Sequence, residues 1–202
     1  MRLFSNSFLE KYDKDGMLRL AEKFPEQIKE ALELAKNSDF SFEGIENVVV
    51  AGMGGSAISG EILRHFSKIP FFVVRDYHLP SFADEKTLFI AISYSGNTAE
   101  TLSCYKEARK KGCKIFSISS GGKLAKEKNC ILIPSGMQPR AAIAYLLFPL
   151  AKMLEKLGII GKQDFADVIE VVEILRNRLK MDVDNGNVAK HIAYEIEGFP
   201  VI

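Results

Sequence analysis

Five short apolar runs recur through the middle of the chain: Val48–Ala51, Phe71–Val74, Leu88–Ile92, Lys114–Ile118 and Ile131–Pro134. Their Val, Ile and Phe residues show no strict polar–apolar alternation, which is the pattern of strands covered on both faces. Helical spacing between the runs predicts helices after Ser56, Thr98 and Arg140, with a short one near Lys123–Glu127. Strands alternating with helices specify an α/β fold, a doubly wound parallel sheet of five strands. Before Lys36, the positions Leu18, Phe24, Ile28, Leu32 and Ala35 predict one amphipathic helix. Ala141–Leu157 is rich in helix formers and closed by Gly158, with Pro149 expected to kink it. Phe165, Val168, Ile169, Val172, Leu175 and Leu179 form a further stripe, and Asp182–Asn187 breaks it. A short helix is expected over Ala189–Ile196, and Gly198–Ile202 reads as a linker entering a strand.

Two turns between these elements carry candidate chemistry. Gly52-Met53-Gly54-Gly55-Ser56 follows the first run, and Ser93-Tyr94-Ser95-Gly96-Asn97-Thr98 follows the third. A Gly- or hydroxyl-rich turn from a buried strand into a helix exposes unpaired backbone N–H groups at the positive end of the helix dipole. An anion can approach them closely where the side chains are small. Ligands of open α/β sheets sit beyond the carboxyl ends of the strands, where the winding reverses. Making the first and third strands neighbours gives the flavodoxin-like order 2-1-3-4-5, with one phosphate held from both sides.

Composition narrows the partners. The formal net charge is +1, from 27 basic and 26 acidic residues, so no general field favours nucleic acid or an anionic membrane. No apolar run is long enough to span a bilayer. Acidic and basic residues follow the N-terminus closely, unlike a secretory signal. Cys104, Cys113 and Cys130 lack metal-ligand spacing and read as reduced thiols of a cytoplasmic protein.

Other readings compete. Gly52-x-Gly54-x-x-Ala57 satisfies the dinucleotide fingerprint, and Asp76 follows at about the twenty-residue offset of a ribose-binding carboxylate. Arg75 beside Asp76 and the superfluous second loop weigh against it. Tight turns without any ligand are the other alternative. Asn97 or Thr98 can serve as a plain helix cap, although capping leaves the other hydroxyls unexplained.

The stretches Val-Ala-Gly-Met-Gly-Gly-Ser-Ala-Ile-Ser-Gly, Ser-Tyr-Ser-Gly-Asn-Thr-Ala-Glu-Thr-Leu and Gln138-Pro139-Arg140 resemble the sugar isomerase (SIS) domain family. Within it they are most similar to bifunctional phosphoglucose/phosphomannose isomerases. The resemblance implies phosphate contacts from Gly55, Ser56, Ser93, Ser95 and Thr98, and a place for Arg140 near the reacting carbons. There a guanidinium would stabilise an enediolate oxyanion as a proton moves between C1 and C2. For Arg140, the plain alternative is a surface ion pair at a helix start. No metal is implied, because no His, Asp, Glu or Cys cluster has ligand spacing and proton transfer through an enediolate needs none, and no cofactor is expected.

It also implies a second SIS domain carrying the glutamate base, a histidine and a lysine, with no matching positions in this chain. The expected layout is a helical segment over 1–46 and a phosphosugar-binding SIS domain over 47–158. The remaining 159–202 would be a helix and linker leading to the second domain. His65, His78 and His191 are expected at surface or structural positions, and Glu100 beside the dipole of its helix. The apolar faces of Ala141–Leu157 and Phe165–Leu179 suggest a homodimer. The leading expectation is an aldose–ketose isomerase acting on glucose 6-phosphate, mannose 6-phosphate and fructose 6-phosphate. A non-catalytic sugar-phosphate sensor is the alternative.

Overall fold

A computed structural model describes residues 10–38 and 40–197. Five strands form one sheet: β1 Asn47–Ala51, β2 Phe71–Val74, β3 Thr87–Ile92, β4 Lys114–Ser119 and β5 Cys130–Leu132. The spatial order is β2-β1-β3-β4-β5 with every pairing parallel, as the placement of the two loops required. The helices are α1 Met17–Glu22, α2 Phe24–Lys36, α3 Gly55–Leu63, α4 Ala99–Lys110, α5 Ile143–Lys156, α6 Phe165–Leu179 and α7 Val188–Glu195.

Burial explains why the strand runs lack alternation. All six residues of β3 and the last four of β1 are buried. On one face Val49, Phe89 and Ala91 pack with Cys104 and Ala108 of α4 and with Leu124. α5 packs against α3 and β4, with Leu146, Leu150, Met153 and Leu154 fully buried. Each such side chain contributes about 1.5–3 kcal/mol relative to exposure. That core fixes the carboxyl ends of β1 and β3, where the loops begin.

Three boundaries differ from expectation, each for a backbone reason. The single helix before Lys36 is two, interrupted at Lys23. Pro25 stands at the second position of α2, where its missing N–H costs nothing, whereas within a continuous helix it would clash with the carbonyl four residues back. β5 ends earlier than Pro134. Ile133 donates the last ladder bond, to Ser119 O at 3.0 Å, and Pro134 has no N–H with which to continue. α5 is preceded by a tight 3₁₀ turn over Pro139–Ala142 that occupies the start of the expected Ala141–Leu157 helix.

The chain divides into two compact units. Gln27–Gln163 holds the sheet, and the segments before Gln27 and after Gln163 make up the other. In the latter, Arg176 of α6 pairs with Glu26 at 2.7 Å. The expected break after α6 is organised by Asn187, whose Oδ1 caps α7 by accepting from Lys190 N–H at 3.1 Å. Its amide also donates to the carbonyls of Lys180 and Val183. The strand expected over Gly198–Ile202 lies outside the described residues.

Candidate functional site

The first loop turns between adjacent strands. A Cβ at Gly52 would lie 3.1 Å from Ile92 O, from Ala57 N and from Ser56 C, so a larger residue would push this turn away from the end of β3 by a few tenths of an ångström. Gly54 has φ +51° and ψ −125°, a combination that an L side chain rarely adopts. It occupies the N-cap position of α3, and no side chain caps that helix. Among the described residues, the N–H groups of Gly54 and Gly55 and the hydroxyl of the buried Ser56 have no partner. Uncapped donors at a helix start are suited to an anion.

The second loop gathers its hydroxyls. Ser93 Oγ lies 2.7 Å from Thr98 Oγ1 and 3.5 Å from Ser95 Oγ, and it accepts from Gly96 N–H at 3.1 Å. Ser93 is buried, Ser95 is exposed and Thr98 lies between. Thr98 is the N-cap residue of α4, yet its side chain caps nothing. Asn97 Oδ1 instead accepts from Lys123 N–H at 3.2 Å. Capping therefore accounts for neither residue, and the first turn of α4 keeps its N–H groups.

The third loop, carrying Arg140, comes to the same rim. Pro139 O lies 3.7 Å from where a Gly55 Cβ would stand, and Met137 N–H donates to Tyr94 Oη at 2.9 Å. Arg140 is exposed, with no ion pair or hydrogen bond among the described residues. A surface ion pair therefore does not explain it. Gly55 and Ser56, the Ser93–Thr98 hydroxyls and the loop of Arg140 thus share one end of the sheet.

A fourth segment, Ser119–Lys123, was not singled out in the sequence. Ser120 N–H and Oγ–H both donate to Tyr94 O, at 3.0 and 2.6 Å. Lys123 and Leu124 N–H donate to Gly96 O at 3.0 and 3.2 Å. This segment, continuing from the end of β4, braces the serine-rich loop. Its Ser-Ser-Gly-Gly composition was the available signal.

The sequence profile of the SIS domain family matches residues 41–151. The chain belongs to the SIS domain family. A bifunctional phosphoglucose/phosphomannose isomerase of Caldicellulosiruptor bescii is 47% identical over 186 residues, covering 85% of this chain and 55% of the relative. The enzyme of that name from Thermoplasma volcanium is 44% identical over 168 residues, covering 82% and 53%. The chain thus spans about half the length of these relatives. Among solved structures, the C-terminal domain of glucosamine-fructose-6-phosphate aminotransferase from Francisella tularensis shares the fold, with a TM-score of 0.60 and 20% identity. That match covers 82% of this chain and 55% of the other.

Several other titratable groups of this SIS domain chain are engaged in structure. Exposed His78 meets Glu107 at 2.8 Å; the hydrogen bond and the carboxylate charge together raise the imidazole above its usual range. Glu107 in turn is held below the usual carboxylate range by Leu79 N–H and by His78. His65 lies in a 3₁₀ turn after α3 rather than on the helix itself, and His191 lies on α7; both are exposed. Cys104, Cys113 and Cys130 are free thiols, and burial pushes Cys104 up to about 12. Asp76, the carboxylate of the dinucleotide reading, accepts from its neighbour Tyr77 N–H, and Arg75 pairs with Glu61 at 3.2 Å. No helix among the described residues is long and apolar enough to cross a membrane.

Proposed function

We propose that this chain is the phosphate-binding part of a phosphoglucose/phosphomannose isomerase. The observation that carries the reading is the convergence of two uncapped helix starts and an unpaired arginine on one rim of the sheet. In this reading Gly55, Ser56, Ser93, Ser95 and Thr98 hold the 6-phosphate. Backbone N–H groups and hydroxyls suit a phosphate because they donate without a fixed charge that must be desolvated. The sugar then extends towards Arg140. Isomerisation removes a proton from C2 of the aldose and returns one to C1, and the intermediate enediolate carries negative charge on oxygen. A planar guanidinium, free of any internal carboxylate, can stabilise that charge as it develops.

The acid and base belong, in this reading, to a second SIS domain beyond the 47–158 unit, with 159–202 leading to it. A cytoplasmic homodimer is the assembly proposed. The exposed apolar residues Val168, Val171, Ile174 and Leu175 of α6 support a buried interface there.

Calorimetric titration with fructose 6-phosphate and mannose 6-phosphate tests the binding step. Saturable binding is expected, and Ser95→Ala should weaken it about tenfold, the effect of about 1–2 kcal/mol for one charge-assisted bond. No binding by the folded protein would refute the reading. Binding without isomerisation by the protein that includes any second domain would identify a sensor instead.

A further inference from the structure

We propose that Tyr94 is a positioning residue: its phenol ties the loop carrying Arg140 to the serine-rich loop, so that phosphate held by one orders the other. This rests on the sugar-phosphate reading above and extends it to a residue that touches neither phosphate nor reacting carbon. Tyr94 stands between Ser93 and Ser95, and the residue is only 9% exposed. Its carbonyl is fixed by both donors of Ser120, and its hydroxyl accepts from Met137 N–H at 2.9 Å. The next firm anchor along the chain is fully buried Ala142, at the end of the 3₁₀ turn. Between these anchors Gln138, Pro139 and Arg140 are exposed, and Arg140 has no partner of its own among the described residues. The direction of the guanidinium is therefore set by where its loop is held, and Tyr94 supplies the side-chain hold on the N-terminal side. A ligand that immobilises the Ser93 and Ser95 segment would stiffen the Tyr94 backbone and, through the phenol, the Arg140 loop. Energy gained at the phosphate would then be used at the distant reacting centre.

Amide hydrogen exchange on the chain, with Tyr94→Phe as the variant, reads this directly. Without ligand, Met137 N–H should exchange about tenfold faster in the variant, the scale of one lost hydrogen bond, while amides of β3 keep their rates. Unchanged Met137 exchange, or equal acceleration throughout β3, would overturn the strut. Fructose 6-phosphate should slow exchange over 137–141 in the wild type and leave it fast in Tyr94→Phe. Equal slowing in both proteins would overturn the coupling. If the wild type neither binds nor slows, the sugar-phosphate reading and the coupling fall together, and the ligand-free rates still decide the strut.

Discussion

Replacing Gly96 with alanine tests whether the serine-rich loop is held by backbone contact. Gly96 has φ +67°, and a Cβ there would lie 1.8 Å from Gly121 O and 2.6 Å from Ser119 Oγ. The Gly121 carbonyl cannot simply retreat, because it accepts from Ala125 N–H at 3.3 Å and from Ser119 Oγ–H at 2.9 Å, and Gly96 is itself held. Gly96 N–H donates to Ser93, and Gly96 O accepts from Lys123 and Leu124. A left-handed non-glycine residue costs about 1–2 kcal/mol, and overpacking against a fixed neighbour about 1–3 kcal/mol more. The expected loss is about 2–5 kcal/mol, a large share of the stability of an ordinary domain. Gly158→Ala is the control: its φ is +72°, but nothing lies within 4 Å of the added Cβ. Only the first cost applies there, about 1–2 kcal/mol. With a urea m-value of about 2 kcal/mol/M, the midpoint should fall by about 1–2.5 M for Gly96→Ala and about 0.5–1 M for Gly158→Ala. Equal shifts in circular-dichroism melts would show that the Gly121 carbonyl yields and that contact does not fix the loop.

On the proposed isomerase reading, Arg140→Lys keeps the charge and loses the planar fork, so an assay of fructose 6-phosphate isomerisation by the protein that includes any second domain should show kcat reduced about a hundredfold with KM little changed. A change in KM alone would make Arg140 a binding residue. Because Glu107 raises the pKa of His78 above 6.5 and His78 helps lower that of Glu107 below 4.5, the pair's contribution to stability is complete between those two ordinary values. It fades as pH rises through the raised His78 value and is lost again as pH falls through the lowered Glu107 value. Glu107→Gln should bring the His78 NMR titration back towards 6.5, and an unmoved midpoint would remove the pairing. Cys104, pushed up to about 12, should resist iodoacetamide at mildly alkaline pH until the chain is unfolded in urea. Modification of the folded chain at the unfolded rate would contradict its burial.

Much of this architecture was legible because it follows from the chemistry of the chain. Strands covered on both faces read as continuous apolar runs, and Val48–Ala51 of β1 and Leu88–Ile92 of β3 do. The strand order was inferred from the two loops alone, since a shared ligand requires their strands to be neighbours, and Ala51 pairs with Ala91. What stayed hidden were local backbone decisions and contacts across distance. The break at Lys23 turns on one proline that periodicity passes over. That Pro139 approaches Gly55, and that Met137 bonds Tyr94, depends on where α5 packs, which no local pattern encodes.

The two serine–glycine segments at this rim show why composition cannot assign a site by itself. Ser93-Tyr94-Ser95-Gly96 and Ser119-Ser120-Gly121-Gly122 are both small, hydroxyl-rich turns after buried strands. Their hydrogen bonds separate them. Ser119 Oγ–H donates to Gly121 O at 2.9 Å and Ser120 Oγ–H to Tyr94 O at 2.6 Å, so the protons of both hydroxyls are committed within the chain. A Cβ at Gly122 would lie 2.3 Å from Ser95 O, so its glycine serves the packing of one loop on the other. Ser95, by contrast, is exposed, and the first turn of α4 that follows Thr98 has no side-chain cap. A hydroxyl–glycine turn is a ligand site where its donors remain uncommitted and scaffold where the protein has used them. By that criterion the second segment holds the first in shape, and the first keeps donors for an anion in the Ser95 hydroxyl, which accepts from Asn97 N–H, in one hydroxyl of the Ser93–Thr98 pair and in the first turn of α4.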